Sequence, residues 1–222
     1  MMDLSLDNLV LDRKVLIAVF SIMGSAALCR LDFIAVQDNE ETRNAAWRRK
    51  LTAFETGKIL PWWKQPANGL NTFLMRAATR LGDGWTWAFV APWVLWRMGP
   101  KLGFALAWRG TAVGLISVGV YKLLKGRFNR PRPYERHDLE PLQPPPDRFS
   151  FPSGHAMNNL AIALYVGHFL PEVLPVLLPL AVMVGFSRVY LRVHYPSDVL
   201  VGAGLGLAIG EIFQRLPLFN AL

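Results

Sequence analysis

Apolar residues in this chain fall in long blocks rather than alternating with polar ones. Blocks at about 15–36, 84–97, 102–124, 155–170, 173–191 and 199–213 are proposed as membrane spans. A span needs roughly 20 apolar residues, so the shorter blocks borrow flanking residues. The second is expected to extend back through 70–81 at a tilt. Backbone groups in a bilayer must be paired within the segment, so each span should be a helix. The expectation is an all-α integral membrane bundle of about six transmembrane helices, a single domain over residues 1–222. The first block is interrupted by Arg30 and Asp32, and the third contains Arg109. Arg13 and Lys14 before residues 15–28 imitate a signal peptide, but the later spans favour an uncleaved first helix.

Polar segments separate the blocks. Residues 37–68 carry Arg43, Arg48, Arg49, Lys50, Lys58 and Lys64 with Trp62 and Trp63. Paired tryptophans suit a bilayer interface, so an interfacial helix is expected in this first long loop. Residues 125–150 form a second polar segment, broken by Pro141 and by Pro144, Pro145 and Pro146; residues 192–198 join the last two spans. Gly202, Gly204, Gly206 and Gly210 line the final block and should let another helix approach closely.

Composition sharpens this picture. The chain is 52% hydrophobic and only 18% charged, with mean hydropathy +0.26, unlike an ordinary soluble domain. Its one cysteine, Cys29, excludes an intramolecular disulfide and a cysteine zinc site. The net charge of +8 points to anionic lipid, phosphate-bearing substrates or nucleic acid. No nucleic-acid-binding pattern is present and the arginines lie between apolar blocks, so nucleic acid is not an expected partner.

Three stretches carry chemistry. Lys125, Arg127, Arg130 and Arg132, followed by Pro133, gather cations just after the third block. Cations there can simply anchor a helix end in the headgroups; they can also clamp a phosphate, arginine with a planar fork and lysine with a point charge. Pro152-Ser153-Gly154-His155 opens the fourth block. Alone it reads as a capped helix start. Free amide N–H groups at that start also suit an anion, Gly154 allows close approach, and His155 can donate a proton near neutral pH. The third stretch runs from Ser187-Arg188 through His194 to Asp198. A carboxylate four residues from a histidine can fix the imidazole tautomer and leave one nitrogen as nucleophile or base. Arginine beside a membrane is costly and favours a functional role for Arg188. Arg127, Arg130 and Arg136 are candidates to read a second phosphate, or to face solvent and headgroups.

Taken in order, Lys125…Arg132-Pro133, Pro152-Ser153-Gly154-His155 and Ser187-Arg188…His194…Asp198 resemble the signature of the type 2 phosphatidic acid phosphatase superfamily, with every fixed position matched over 125–198. Residues 1–70 carry no part of it. The resemblance implies a metal- and cofactor-independent lipid phosphatase. It assigns His194 as nucleophile forming a phosphohistidine, Asp198 as its orienting carboxylate, and His155 as acid and then base. Lys125, Arg132, Ser153, Gly154 and Arg188 would hold the phosphoryl oxygens. The implied substrate is a lipid phosphate or diphosphate of the undecaprenyl diphosphate, phosphatidylglycerophosphate or phosphatidic acid type. A phosphotransferase using the same phosphohistidine is the alternative. The family also implies a bacterial inner membrane with the site facing the periplasm, although the basic loops would favour the cytoplasm by charge alone.

Overall fold

The computed structural model describes residues 41–145 and 147–216. The chain forms two compact units, Met1–Leu51 and Thr52–Leu222. The expected first span and Cys29 lie outside the described residues. Helix α1 is Glu41–Trp63, α2 is Gly69–Arg80, and a π-helical turn, Leu81–Trp85, leads to α3, Thr86–Phe128. A short α4, Pro133–His137, precedes α5, Gly154–Phe169. Then come α6, Leu174–Tyr190, and α7, Pro196–Arg215. No strand occurs among the described residues.

The boundaries have local causes. Asn68 caps α2 by accepting a hydrogen bond from the Asn71 N–H at 3.1 Å, satisfying one of the amides a helix start leaves open. Ser153 is the N-cap of α5. At α7, Pro196 occupies the first turn and the Asp198 side chain accepts from the Tyr195 N–H at 2.8 Å. The expected second span is not one tilted rod from 70 to 97. Gly84, at φ 104°, turns the chain between α2 and α3, a conformation that glycine adopts without a Cβ penalty.

A second break, at Gly99 (φ 77°, ψ 167°) just before Pro100, divides α3. The two arms fold back on each other there. A Cβ on Gly103 would stand 2.7 Å from the Leu95 Cα. The arms correspond to the second and third apolar blocks, which a turn separates.

Among the described residues, three stretches, Phe89–His137, Pro171–Tyr190 and Pro196–Arg215, are long and apolar enough to cross a membrane. The outward apolar side chains Phe89, Trp96, Phe104, Leu115, Val182 and Leu200 are exposed, as suits a surface solvated by lipid rather than water. The chain is an integral membrane protein built as a helical bundle.

Helix α5 is the centre of that bundle. Ten of its 16 residues are buried, so it is covered on most sides and needs no polar face. It packs on α3, α6 and α7 through a core that includes Leu106, Val113, Met157, Ala161, Tyr165, Val166, Leu177 and Ile209. Against α7 the approach is backbone to backbone. A Cβ at Gly202 would stand 2.5 Å from the Ser153 carbonyl oxygen, one at Gly206 would strike the Met157 carbonyl, and one at Gly210 would stand 2.9 Å from that of Ala161. Gly204 has open space and is not part of this contact, because it points off the 3.6-residue face that the other three share. The result is that the starts of α5 and α7 lie side by side.

Trp63, at the end of α1, is turned inward instead of serving the bilayer interface. It is 2% exposed, its indole N–H donates to the Val189 carbonyl at 2.9 Å, and its ring packs against Tyr195. Trp62 keeps partial exposure and lies edge-on to Tyr190.

Candidate active site

The fold gathers the three signature stretches at one end of the bundle. The join is a backbone bond: the Ser153 N–H donates to the Asp198 carbonyl at 2.9 Å. The turn after α6 supplies His194. The Val193 and His194 amides both donate to the Arg188 carbonyl, at 3.2 and 3.1 Å, and Arg192 adopts a left-handed φ of 64°. Such a φ is uncommon for a residue with a side chain; here it lets the chain leave α6 and present His194 inward.

His194 is 2% exposed. Its Nδ1 stands 3.6 Å from Asp198 Oδ2, beyond ordinary hydrogen-bond length, and has no hydrogen-bond partner. Burial pushes the imidazole well below its ordinary pKa, and the charges of Arg132, Arg188 and Lys125 push it the same way. Each cause disfavours the imidazolium. His194 is therefore held neutral, the form in which a ring nitrogen is nucleophilic.

The cations surround it. Arg188 is 1% exposed; its Nη1 donates to Thr79 Oγ1 of α2 and its Nε is buried without a partner. Arg132 is fully buried and is fixed by its Nη1 donating to the Val193 carbonyl at 2.6 Å, next to His194. Lys125 reaches in from the last turns of α3. Ser153 is buried, with its oxygen capping α5; its hydroxyl proton remains available as a donor. Gly154 lies under the Tyr121 ring, where a Cβ would stand 2.8 Å from Tyr121 Cδ1.

Four partners were not legible in the motifs. Asp83, in the π turn, binds His155: Oδ1 and Nε2 are 2.5 Å apart. Asn159 fixes that turn, donating to the Gly82 carbonyl at 3.1 Å and to the His155 carbonyl at 2.9 Å. Thr79 holds Arg188 from the same region. Asp147 is the fourth. Its carboxylate accepts from Lys125 Nζ through both oxygens at 2.7 Å and from Arg132 Nη2 at 2.6 Å, and its carbonyl accepts from Arg132 Nε at 3.0 Å. Burial pushes the Asp147 carboxyl up, but the two cations more than reverse this and hold it below its ordinary pKa. An ionised carboxylate thus bridges the two cations that the signature assigns to phosphate. Apart from the Asn159 bond to the His155 carbonyl four residues back, these contacts join residues 15 or more apart in the chain.

Arg130 is not a reader of a second phosphate. It is 6% exposed and spent on internal partners: Asp198 Oδ1 at 2.5 Å, Glu55 Oε2 and Thr52 Oγ1 at 2.8 Å, and Ser197 Oγ at 2.8 Å. Two carboxylates, Asp198 and Glu55, offset the cost of burying this guanidinium. Arg127 and Arg136 are exposed.

The chain is similar to known proteins of one family. The model of the PAP2 superfamily matches residues 105–220. Phosphatidylglycerophosphatase B of Bacillus subtilis is 41% identical over 99 residues, covering 40% of this chain and 46% of that protein. An undecaprenyl-diphosphatase of Sulfolobus acidocaldarius is 33% identical over 143 residues, covering 63% of this chain and 65% of that one. The matched part thus spans under half of the first relative and about two thirds of the second. Among solved structures, a crystal structure described as the first transmembrane PAP2 type phosphatidylglycerolphosphate phosphatase from Bacillus subtilis superposes with a TM-score of 0.55 at 26% identity, covering 86% of this chain and 92% of that one.

Proposed function

The chain belongs to the PAP2 superfamily, and from that premise we propose that it is an integral-membrane lipid phosphatase, removing a terminal phosphate from a lipid phosphate or diphosphate. The observation that carries the reading is the convergence of Lys125, Arg132 and Arg188 on the buried His194, with His155 at the adjoining helix start.

The chemistry follows from these positions. The phosphoryl oxygens bind Lys125, Arg132 and Arg188, with the Ser153 hydroxyl and the Gly154 N–H at the start of α5. Preorganised donors of this kind stabilise charge as it develops and need little rearrangement. A His194 ring nitrogen attacks phosphorus in line. The phosphorus–oxygen bond to the lipid breaks, and the leaving oxygen takes its proton from His155. Asp198 stabilises the positive charge that His194 acquires. His155, now neutral, takes a proton from water as the water attacks the phosphohistidine. The nitrogen–phosphorus bond breaks and orthophosphate leaves. Asp83 positions the His155 ring through both half-reactions.

The lipid tail lies along the apolar outer surface of the bundle and the headgroup reaches the polar end. We place that end on the outer face of a bacterial inner membrane, following the family over the loop charges. Residues 1–222 act as one domain on this reading. The substrate is of the phosphatidylglycerophosphate, undecaprenyl diphosphate or phosphatidic acid type; the first two are the substrates that the names of the relatives carry. The test compares kcat/KM for these three lipids in detergent micelles, with orthophosphate release as the readout. Turnover of at least one, unchanged by EDTA, is expected. Turnover of none, or transfer to an acceptor lipid without orthophosphate release, would overturn the assignment as a hydrolase.

A further inference from the structure

Asp198 has a second side, which the signature does not describe. Its Oδ2 accepts from the Tyr195 N–H and faces His194, while its Oδ1 is taken by Arg130 Nη1 at 2.5 Å. Arg130 lies over the Tyr195 ring, 4.0 Å from its centroid, and passes its other nitrogen to Glu55 of α1. Glu55 is 8% exposed and accepts only. Oε1 takes the Ser197 N–H at 2.6 Å, and Oε2 takes the Ser197 hydroxyl at 2.9 Å and Arg130 Nη2 at 2.8 Å. The Ser197 hydroxyl in turn accepts from Arg130 Nη1, which closes the ring of contacts. A pure acceptor with three donors is a carboxylate.

The charge count gives this network a purpose. An arginine alone beside Asp198 would cancel the carboxylate that His194 depends on. Glu55 engages the same guanidinium, so two carboxylates share one cation and one net negative charge remains behind His194. Attack on phosphorus makes the imidazole positive in a buried, low-dielectric place, where a nearby compensating charge counts most. Glu55 also binds the open N–H of Ser197 at the start of α7, so the helix end that carries Asp198 is tied to α1.

We propose that Glu55 and Arg130 are positioning residues for catalysis, with Glu55 keeping Asp198 effectively anionic toward His194 through Arg130. This rests on the phosphatase reading above, and it assigns a catalytic duty to α1, a segment with no signature residue. The two residues act through Asp198 and touch no substrate. Their effect should fall on kcat and leave KM nearly alone.

The experiment is a double-mutant cycle on the full-length protein in detergent micelles. It measures orthophosphate release from phosphatidylglycerophosphate, undecaprenyl diphosphate and phosphatidic acid. Glu55→Gln is expected to lower kcat about 10- to 100-fold with KM within about twofold. In an Asp198→Asn background, where the charge to be tuned is gone, the same change should cost less than about twofold. Arg130→Lys, which cannot fork between two carboxylates, should match Glu55→Gln. Glu55→Asp, which keeps the charge, should restore most of kcat, and it serves as the test variant if the glutamine protein does not fold. Equal costs in both backgrounds would mean that Glu55 only supports the fold, and an unchanged kcat for Glu55→Gln would overturn the inference outright. Wild type and His194→Ala are the references: if wild type releases no orthophosphate from any of the three lipids, the phosphatase reading fails; if wild type is active and His194→Ala is dead while Glu55→Gln is fully active, only the role of Glu55 fails.

Discussion

Asp147 gives the residue scale its sharpest question. Its carboxylate bridges Lys125 and Arg132 in the manner of a phosphate oxygen pair, so an entering phosphoryl group must compete with it. Asp147→Asn removes the competing charge. Inhibition by orthophosphate or orthovanadate should then tighten by about tenfold, the effect of one interaction worth roughly 1.4 kcal/mol; a titration of activity against either anion measures it. The anion should weaken or stay unchanged if Asp147 instead helps to aim the two cations. Asp83 invites the opposite prediction. Asp83→Asn leaves His155 without its carboxylate, and kcat should fall about 10- to 100-fold. The lowered pKa of His194 predicts a pH profile as well. A nucleophile whose pKa is depressed stays neutral as pH falls through the ordinary histidine range, so protonation of His194 should not limit kcat/KM in the free enzyme until more acid pH. A pH–rate profile of wild type with an acidic limb near pH 6.5 assigned to His194 by mutation would contradict this. The eight candidate site residues could be named from the sequence because each motif is local, and short spacing implies proximity whatever the fold. Asp83, Thr79, Asp147 and Glu55 were not. Each meets its partner across a gap of 15 or more residues, and nothing in a linear pattern encodes such a pairing.

At the scale of elements, the contact that assembles the site is the face of α7 carrying Gly202, Gly206 and Gly210 against α5. Hydropathy placed these glycines in a span and spacing suggested close approach, but could not separate Gly204 from its neighbours. Gly206→Ala should destabilise the protein by about 1–3 kcal/mol through overpacking and lower activity by parting Ser153 from Asp198. Gly204→Ala should be silent or slightly stabilising, since helical glycine is entropically poor. Thermal unfolding in detergent distinguishes the two, and similar losses for both would show that the helices are not in this register. Helix breaks were harder to read. The turn at Gly99 divides two blocks that hydropathy already separated, whereas Gly84 interrupts what read as one continuous tilted span. A lone glycine does not announce its φ, and only the surrounding packing requires the turn.

For the whole molecule, apolar blocks were enough to indicate a helical membrane bundle, because a bilayer leaves helices as the main way to satisfy a backbone. The role of α1 was not readable, since its charges and paired tryptophans read as an interfacial helix and only the fold shows Glu55 and Trp63 turned inward. Sidedness is open to a direct experiment: compartment-sensitive reporters at residue 140 and at the C-terminus should place the loop that holds the site outside the cytoplasm. The central claim is that a neutral His194 carries the phosphoryl group between lipid and water. Its most direct test is rapid acid-free quenching of the enzyme with a lipid labelled in its terminal phosphate, followed by mapping of the labelled peptide. The account predicts acid-labile, alkali-stable label on His194 in wild type and none in His194→Ala, which should also release no orthophosphate. Continued turnover by His194→Ala, or label on any other residue, would contradict it.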